Sequence, residues 1–142
     1  TAAATGLVDV RAVAWHQYLT GALAAGRGQT RAATAAFAPL AARAPWLERG
    51  LLAAGAFFTA YPPRAEPLTA YNTLLAGVRY DERSAALWEA YALASIRAGL
   101  ADFATDAREH VRELVPASEF ATFDLRYAAA VAQARQAAAG FE

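Results

Sequence analysis

The chain has 142 residues but no cysteine, no methionine and no lysine; its thirteen cationic side chains are all arginine. Without cysteine there is no disulfide framework, no thiol catalysis, no thiolate zinc site and no iron–sulfur cluster. Lysine nucleophiles are missing too. The redox compartment stays open, because a chain free of thiols suits any. Charged residues make up only 18% of the chain and cancel to a net charge of zero, with no basic run. Nucleic acid needs several cations set against phosphates, so this composition argues against DNA or RNA as a partner. The longest uncharged apolar stretch, residues 50–63, ends in Pro62-Pro63. It falls short of the roughly 18–20 residues that cross a bilayer, and it reads as a buried helix, so no membrane span is expected. Residues 1–6 lack the basic lead of a signal peptide. A start at Thr1 fits removal of an initiator methionine, an exported mature chain or a piece of a longer protein equally well, and localisation is left undetermined between cytoplasmic and exported.

What is abundant is alanine, 42 residues or about 30% of the chain, within a hydrophobic total of 57%. Alanine has the highest helix propensity, and the length suffices to bury one core, so a single all-α domain over 1–142 is expected. The alanine and arginine bias points to a GC-rich, bacterial genome. Breakers cut the chain into pieces of helix length, and no Val/Ile/Thr alternation runs long enough for a strand. About seven helices are predicted. With Asp9 as N-cap the first runs to about Gly26, and the Gly26-Arg27-Gly28 turn opens a second to about Ala44, before Pro45. A third spans Trp46 to about Tyr61; the fourth, with Pro67 in its first turn, ends near Tyr80. The fifth runs from Ser84 to Ala98 and stops at Gly99, the sixth reaches about Val115, and a long last helix follows Pro116-Ala117-Ser118 to near Gly140.

Spacing repeats inside this pattern. Gly28, Ala33 and Pro45 stand five and twelve apart; Gly99, Ala104 and Pro116 repeat both intervals with the same residue types. Ala70 lies 37 after Ala33 and 34 before Ala104. Each glycine suits a tight inter-helix turn, each alanine a close helix approach, and each proline the end of a second helix. Helix pairs that cannot bury their apolar faces alone must stack on neighbours, which fixes small and bulky residues at such a period.

These residues resemble the tetratricopeptide repeat, a 34-residue helix–turn–helix unit. In a first copy, residues 14–47, Gly21 takes the glycine position, Ala33 the small one, Phe37 the bulky one and Pro45 the closing proline, while Gln17 stands at the Trp position beside Trp15. A third copy, residues 84–117, carries Trp88, Gly99, Ala104 and Pro116, but Arg108 replaces the expected Phe and Phe103, Val111 or Leu114 must fill the gap. The middle copy, residues 48–83, is degenerate: it keeps Ala70 and Leu74, with Ala65 at the turn and Glu82 at the proline position. Residues 1–9 form an N-terminal lead and 118–140 a capping helix. In that helix Phe120, Phe123, Tyr127, Val131 and Ala134 form one apolar stripe for the preceding pair, Glu119, Arg126, Gln133 and Gln136 face water, and Gly140-Phe141 resembles a glycine cap.

The resemblance implies a right-handed solenoid of antiparallel helix pairs whose first helices line a concave, peptide-binding groove. Carried over by register, the groove positions are Trp15, Tyr18 and Ala22, then Leu52 and Thr59, then Glu89, Leu93, Ile96 and Arg97. The family's carboxylate grip by Lys and Asn is not expected, since Asn72 is the only asparagine and lies on a second helix.

Catalytic constellations are sparse, and no catalytic residue, metal or cofactor is expected. His16 has no carboxylate within one turn; His110 shares a helix face with Asp106 and Glu113, which suits a solvated charged face as well as a cation site. Ser84 and Ser118 read as helix caps, and neither they nor Ser95 sits in a nucleophile elbow. Gly26-Arg27-Gly28 lacks the strand and third glycine of a dinucleotide fingerprint. Paired carboxylates such as Asp102 and Asp106 belong on a helix surface. The sequence therefore predicts a non-enzymatic protein–protein interaction module or scaffold, its partner a peptide or protein segment. Two alternatives stay open. Residues 1–60 carry a charge of +3 and residues 61–142 a charge of −3, which suits attraction between copies into a homo-oligomer as well as a merely uneven surface. The aromatics Phe57, Phe58, Tyr61, Tyr71 and Tyr80 suit a core or a pocket for a small apolar ligand.

Overall fold

A computed structural model of the protein describes residues 2–60 and 66–140, with side chains from Val10 onward. Among these residues all regular structure is helical: α1 (Ala2–Gly26), α2 (Thr30–Phe37), α3 (Leu40–Arg43), α4 (Glu48–Ala60), α5 (Pro67–Tyr80), α6 (Ala85–Arg97), α7 (Ala101–Leu114) and α8 (Ala117–Ala139). The helix expected between Gly28 and Ala44 is broken at Ala38-Pro39 into α2 and α3. Proline has no N–H to donate and its ring clashes with the preceding turn, so the break falls where the chain can bend. Counted as one interrupted helix, this pair restores the expected seven.

The two glycine turns are built identically. Gly28 and Gly99 adopt φ of +72° and +78°, the left-handed region that costs residues with a Cβ. Gln29 N–H donates to Ala24 at 2.8 Å and Gly28 N–H to Ala25 at 3.1 Å; Leu100 donates to Ser95 and Gly99 to Ile96 at the same two distances. This is the double-bonded Schellman ending, which satisfies carbonyls the helix leaves orphaned. Five residues after each glycine, Ala33 and Ala104 are fully buried.

Close approach of paired helices is set by a second kind of glycine. A Cβ at Gly21 would lie 2.7 Å from Phe37 Cε1, and one at Gly55 would lie 2.9 Å from Leu74 Cδ1. Gly21 and Gly55 are 34 residues apart, while Phe37 and Leu74 each stand four after the buried Ala33 and Ala70. Thus α1 seats a ring from α2, and α4 seats a leucine from α5, at one geometry. Burial of Phe37, Leu51, Leu87, Val111 and Phe123 is essentially complete, worth about 1.5–3 kcal/mol each in transfer free energy.

Contacts follow chain order. α1 packs on α2, α3 and α4; α4 on α5 and α6; α6 on α7 and α8, with α5 against α6. The α8 stripe packs as its period predicts: Phe123 is buried and Phe120, Tyr127, Val131 and Ala134 are half-buried, while Glu119, Arg126, Gln133 and Gln136 are exposed.

Several local expectations are corrected. Asp9 is not an N-cap, because α1 already begins at Ala2 and residues 2–9 extend it instead of forming a separate lead; an alanine-rich start costs little in helix. Ser84 caps α6 by accepting from Leu87 N–H at 3.2 Å, but α8 is led by Pro116 and Ser118 sits inside its first turn. Gly140 keeps a right-handed φ of −66°, so the left-handed glycine cap does not form. Opposite Arg108, Val111 is buried as expected, whereas Phe103 and Leu114 are exposed. Tyr61, Pro62, Pro63, Ala65 and Phe141 lie outside the described residues.

Candidate functional site

Polar and apolar residues alternate around α1 without a clean division, and its buried side, Ala14, Gly21 and Ala24, is narrow. Small residues there let α2 and α4 come close, which leaves the larger side chains outside. Val10, Val13, Trp15, Leu19 and Leu23 are all more than 40% exposed. Scattered exposed apolar residues are ordinary, but Trp15, Leu19 and Leu23, four apart, form one exposed stripe of α1, with Val10 and Val13 nearer its buried side.

An open cleft of about 500 Å³ lies along the first half of α1, lined by Val10, Arg11, Trp15, Trp46 and Tyr80. Three elements build it: α1 supplies Trp15, the residue pair before α4 supplies Trp46, and the last residue of α5 supplies Tyr80. Trp15 is steadied from behind by Tyr18, edge-on at 5.9 Å between ring centroids. A second cleft of about 370 Å³, lined by Val10, Val13, Ala14, Gln17 and Arg43, adjoins the first at Val10. Within it the Gln17 Oε1 atom is shut off from solvent and has no hydrogen-bond partner among the described residues. Arginine outnumbers acid in this part of the chain, five to two over residues 1–60. Residues 10–47 contain Arg11, Arg27, Arg31 and Arg43 and no acid, and among the described residues Arg11 and Arg43 are not ion-paired.

The sequence-derived groove positions separate into two groups. Trp15 lies in the cleft, with Tyr18 half-buried behind it and Ala22 exposed further along α1. Leu52 is half-buried against the core, and Thr59 turns its hydroxyl back to the Gly55 carbonyl at 2.8 Å. The third-copy positions face α8. Ile96 is buried with Ala104 and Ala130, Leu93 packs against that cluster, and Glu89 pairs with Arg126 at 3.3 Å; Arg97 is exposed. The terminal helix therefore covers the end of the register-derived groove, and Ile96 is removed from any open surface. Arg11, Gln17, Arg43 and Trp46 complete the two clefts without having been singled out as binding positions, and Tyr80, read from the sequence as core or apolar-pocket lining, joins them.

A third open region lies between α7 and α8, where Thr105, Arg108, Asp124, Tyr127 and Arg135 border a cleft of about 500 Å³. Two of its three charges are matched, Arg135 being in no ion pair among the described residues. Arg108 grips Asp124 with both arms, Nε–Oδ1 at 2.7 Å and Nη2–Oδ2 at 3.0 Å, and its guanidinium lies 5.1 Å from the Phe120 ring centroid. The hydrogen bonds hold the Asp124 carboxyl below the usual carboxylate range and raise Arg108.

The remaining chemical candidates have structural roles. His110 stacks on Trp88 at 4.0 Å with planes 9° apart, and Trp88 Nε1 donates to the Glu82 carbonyl at 2.7 Å. Among the described residues no three His, Asp or Glu side chains are placed to share a metal ion. Ser95 is buried and donates to the Tyr91 carbonyl, and Tyr91 donates to the Tyr71 hydroxyl at 3.2 Å; burial pushes the Tyr91 phenol up. Phe57, Phe58 and Tyr71 are core, whereas Tyr80 is exposed. No helix among the described residues is long and apolar enough to cross a membrane. Compared with protein-family models, with curated proteins and with solved structures, the chain matches none.

Proposed function

We propose that the chain is a non-enzymatic interaction module of tetratricopeptide-like helix pairs, and that it binds an apolar peptide segment bearing acidic side chains in the cleft beside α1. The identical Gly28 and Gly99 turns, the Gly21–Phe37 and Gly55–Leu74 pairs and the chain-order packing support a stacked-repeat arrangement. The observation that carries the binding reading is the convergence of Trp15, Trp46 and Tyr80 on one open cleft with Arg11 at its edge. Tryptophan, tyrosine and arginine contribute large contact area at low entropic cost and dominate interface energetics. The adjoining Arg43 extends the same surface toward a carboxylate of the ligand.

A peptide-display selection against the folded chain tests this. Selected peptides should pair aromatic or aliphatic residues with Asp or Glu, and Trp15→Ala should weaken them at least about tenfold, the loss of one interface anchor. Arg11→Glu should weaken acidic peptides more than neutral ones. Selection of no peptide, or equal binding by Trp15→Ala, would contradict the assignment.

A further inference from the structure

Where α5 lies broadly against α6, α7 barely touches α8, which leans on α6 instead. With 23 residues against 14, α8 also outruns α7. At about 1.5 Å of rise per residue the excess is roughly 13 Å. The end of α8 therefore passes the Gly99 turn, and a groove of about 460 Å³ stays open there between α8 and the start of α7. It adjoins the Arg108–Asp124 cleft, with Thr105, Tyr127, Val131 and Arg135 common to both. Ile96 and Ala104 form its buried floor, in a small cluster with Ala130 that stands apart from the main core. Along its sides are Ala101, Val131, Ala134 and Ala138, side chains too short to close the gap.

Two features of the lining select an occupant. Besides Arg135, only Thr105 and Tyr127 bring a polar side-chain atom to it, and the Thr105 hydroxyl is spent on the Ala101 carbonyl at 3.0 Å. An extended peptide laid here would carry a main-chain N–H and C=O at every residue that the alanines cannot match, whereas an alkyl chain carries none. Charge on the lining is a single cation: Arg135 is exposed and in no ion pair among the described residues. A largely apolar concavity with one convergent charged group is the make-up of a small-molecule site. We infer that the groove binds a small alkyl carboxylate, its chain lying over Ile96 between α7 and α8 and its carboxylate on the Arg135 guanidinium, whose fork matches two carboxylate oxygens. The groove shares no lining residue with the clefts beside α1, so this site and the peptide-binding reading can fail separately.

Ile96 is the only isoleucine of the chain, so a sample ¹³C-labelled at the isoleucine δ1 methyl gives one resonance, from the floor of the groove. Titration with octanoate should move that resonance to saturation. Octylammonium, with the same chain and the opposite charge, should bind at least about fivefold more weakly, and Arg135→Glu should reverse the order of the two, as expected for one charge contact at a partly solvated site. Ala138→Trp, which fills the groove from its rim, should abolish the response to both. Arg135 and Ala138 are exposed, and circular dichroism checks that each variant is folded. An Ile96 methyl that stays in place up to on the order of 10 mM octanoate, beyond the reach of even weak binding, overturns the proposal. Equal response to the two amphiphiles, unchanged preference in Arg135→Glu, or octanoate binding retained by Ala138→Trp overturns it as well.

Discussion

The first helix pair and the last share a turn but not a way of filling the space behind it. In both, a glycine at positive φ closes the turn and a fully buried alanine follows five residues on. Four residues further, the first pair places Phe37, whose ring lies against the backbone of Gly21. The last pair places Arg108, which reaches out of its own pair to Asp124 on α8, with Val111 and Phe123 buried in the core. Small residues at the turns and crossings thus hold the helices close, because an added Cβ would meet a neighbouring side chain or a strained φ. The bulky position is free to change when a neighbouring element supplies the missing volume. The first pair is apolar within itself; the last depends on α8.

The largest effect that separates the two is deletion of the bulky side chain. Phe37→Ala should destabilise the chain by about 3–5 kcal/mol in urea denaturation, since a buried ring is lost and a cavity left. A loss below about 1 kcal/mol would mean that Phe37 does not fill the crossing. Approached from the opposite helix, Gly21→Val should cost about 1–3 kcal/mol, because the added methyls meet the Phe37 ring; Gly21→Val combined with Phe37→Ala should cost less than the sum of the single changes. Strict additivity in that double-mutant cycle would deny the contact.

Where the two pairs are alike, the substitutions should be alike. Gly28→Ala and Gly99→Ala should each cost about 1–2 kcal/mol, since a Cβ in the left-handed region is strained and neither site is crowded by other atoms. Midpoints that differ widely between the two would break the equivalence of the turns. The smallest effect belongs to the ion pair. Arg108 and Asp124 keep a quarter and more than a third of their side-chain surface exposed, so water screening limits the cost of Arg108→Ala to about 0.5–1 kcal/mol. Its pH dependence is the sharper signature. Asp124 has a folded pKa below its unfolded value of about 3.9, so the pair's contribution is full above that value and is lost as pH falls through the folded one. The stability difference between wild type and Arg108→Ala should therefore close as pH drops from 5 toward 2. A difference that stays constant over this range would assign the effect to packing against Phe120 instead.

How far the sequence reads depends on how local each determinant is. The Gly28 and Gly99 turns, the Ser84 cap, Pro67 in the first turn of α5 and the α8 stripe were legible, because each is fixed by neighbours within a few residues. Gly55 was hidden among the alanines of residues 53–56, where a position defined by absence of a side chain has little contrast. The start of α1 was hidden for a related reason: a helix that begins in a run of alanine shows no cap. Asp124, the partner of Arg108, lies sixteen residues downstream on another helix, beyond the span over which helical period carries information. The cleft is the extreme case. Trp15 was recognisable as an interface residue type, but Trp46 and Tyr80 reach it from a pre-helix turn and a helix end, and only the packing of α1, α4 and α5 brings them together. The groove positions on α6 were read from register alone, and register is silent about α8 covering Leu93 and Ile96.

The three tryptophans provide an internal control for the central claim, because Trp15 and Trp46 line the cleft while Trp88 is held elsewhere by the Glu82 carbonyl and His110. Indole N–H resonances in a ¹⁵N-labelled sample, titrated with a peptide selected as above, report all three sites in one spectrum. Shifts of Trp15 and Trp46 with a stationary Trp88 are the predicted result; binding that moves Trp88, or that leaves Trp15 and Trp46 in place, would contradict the cleft as the binding site.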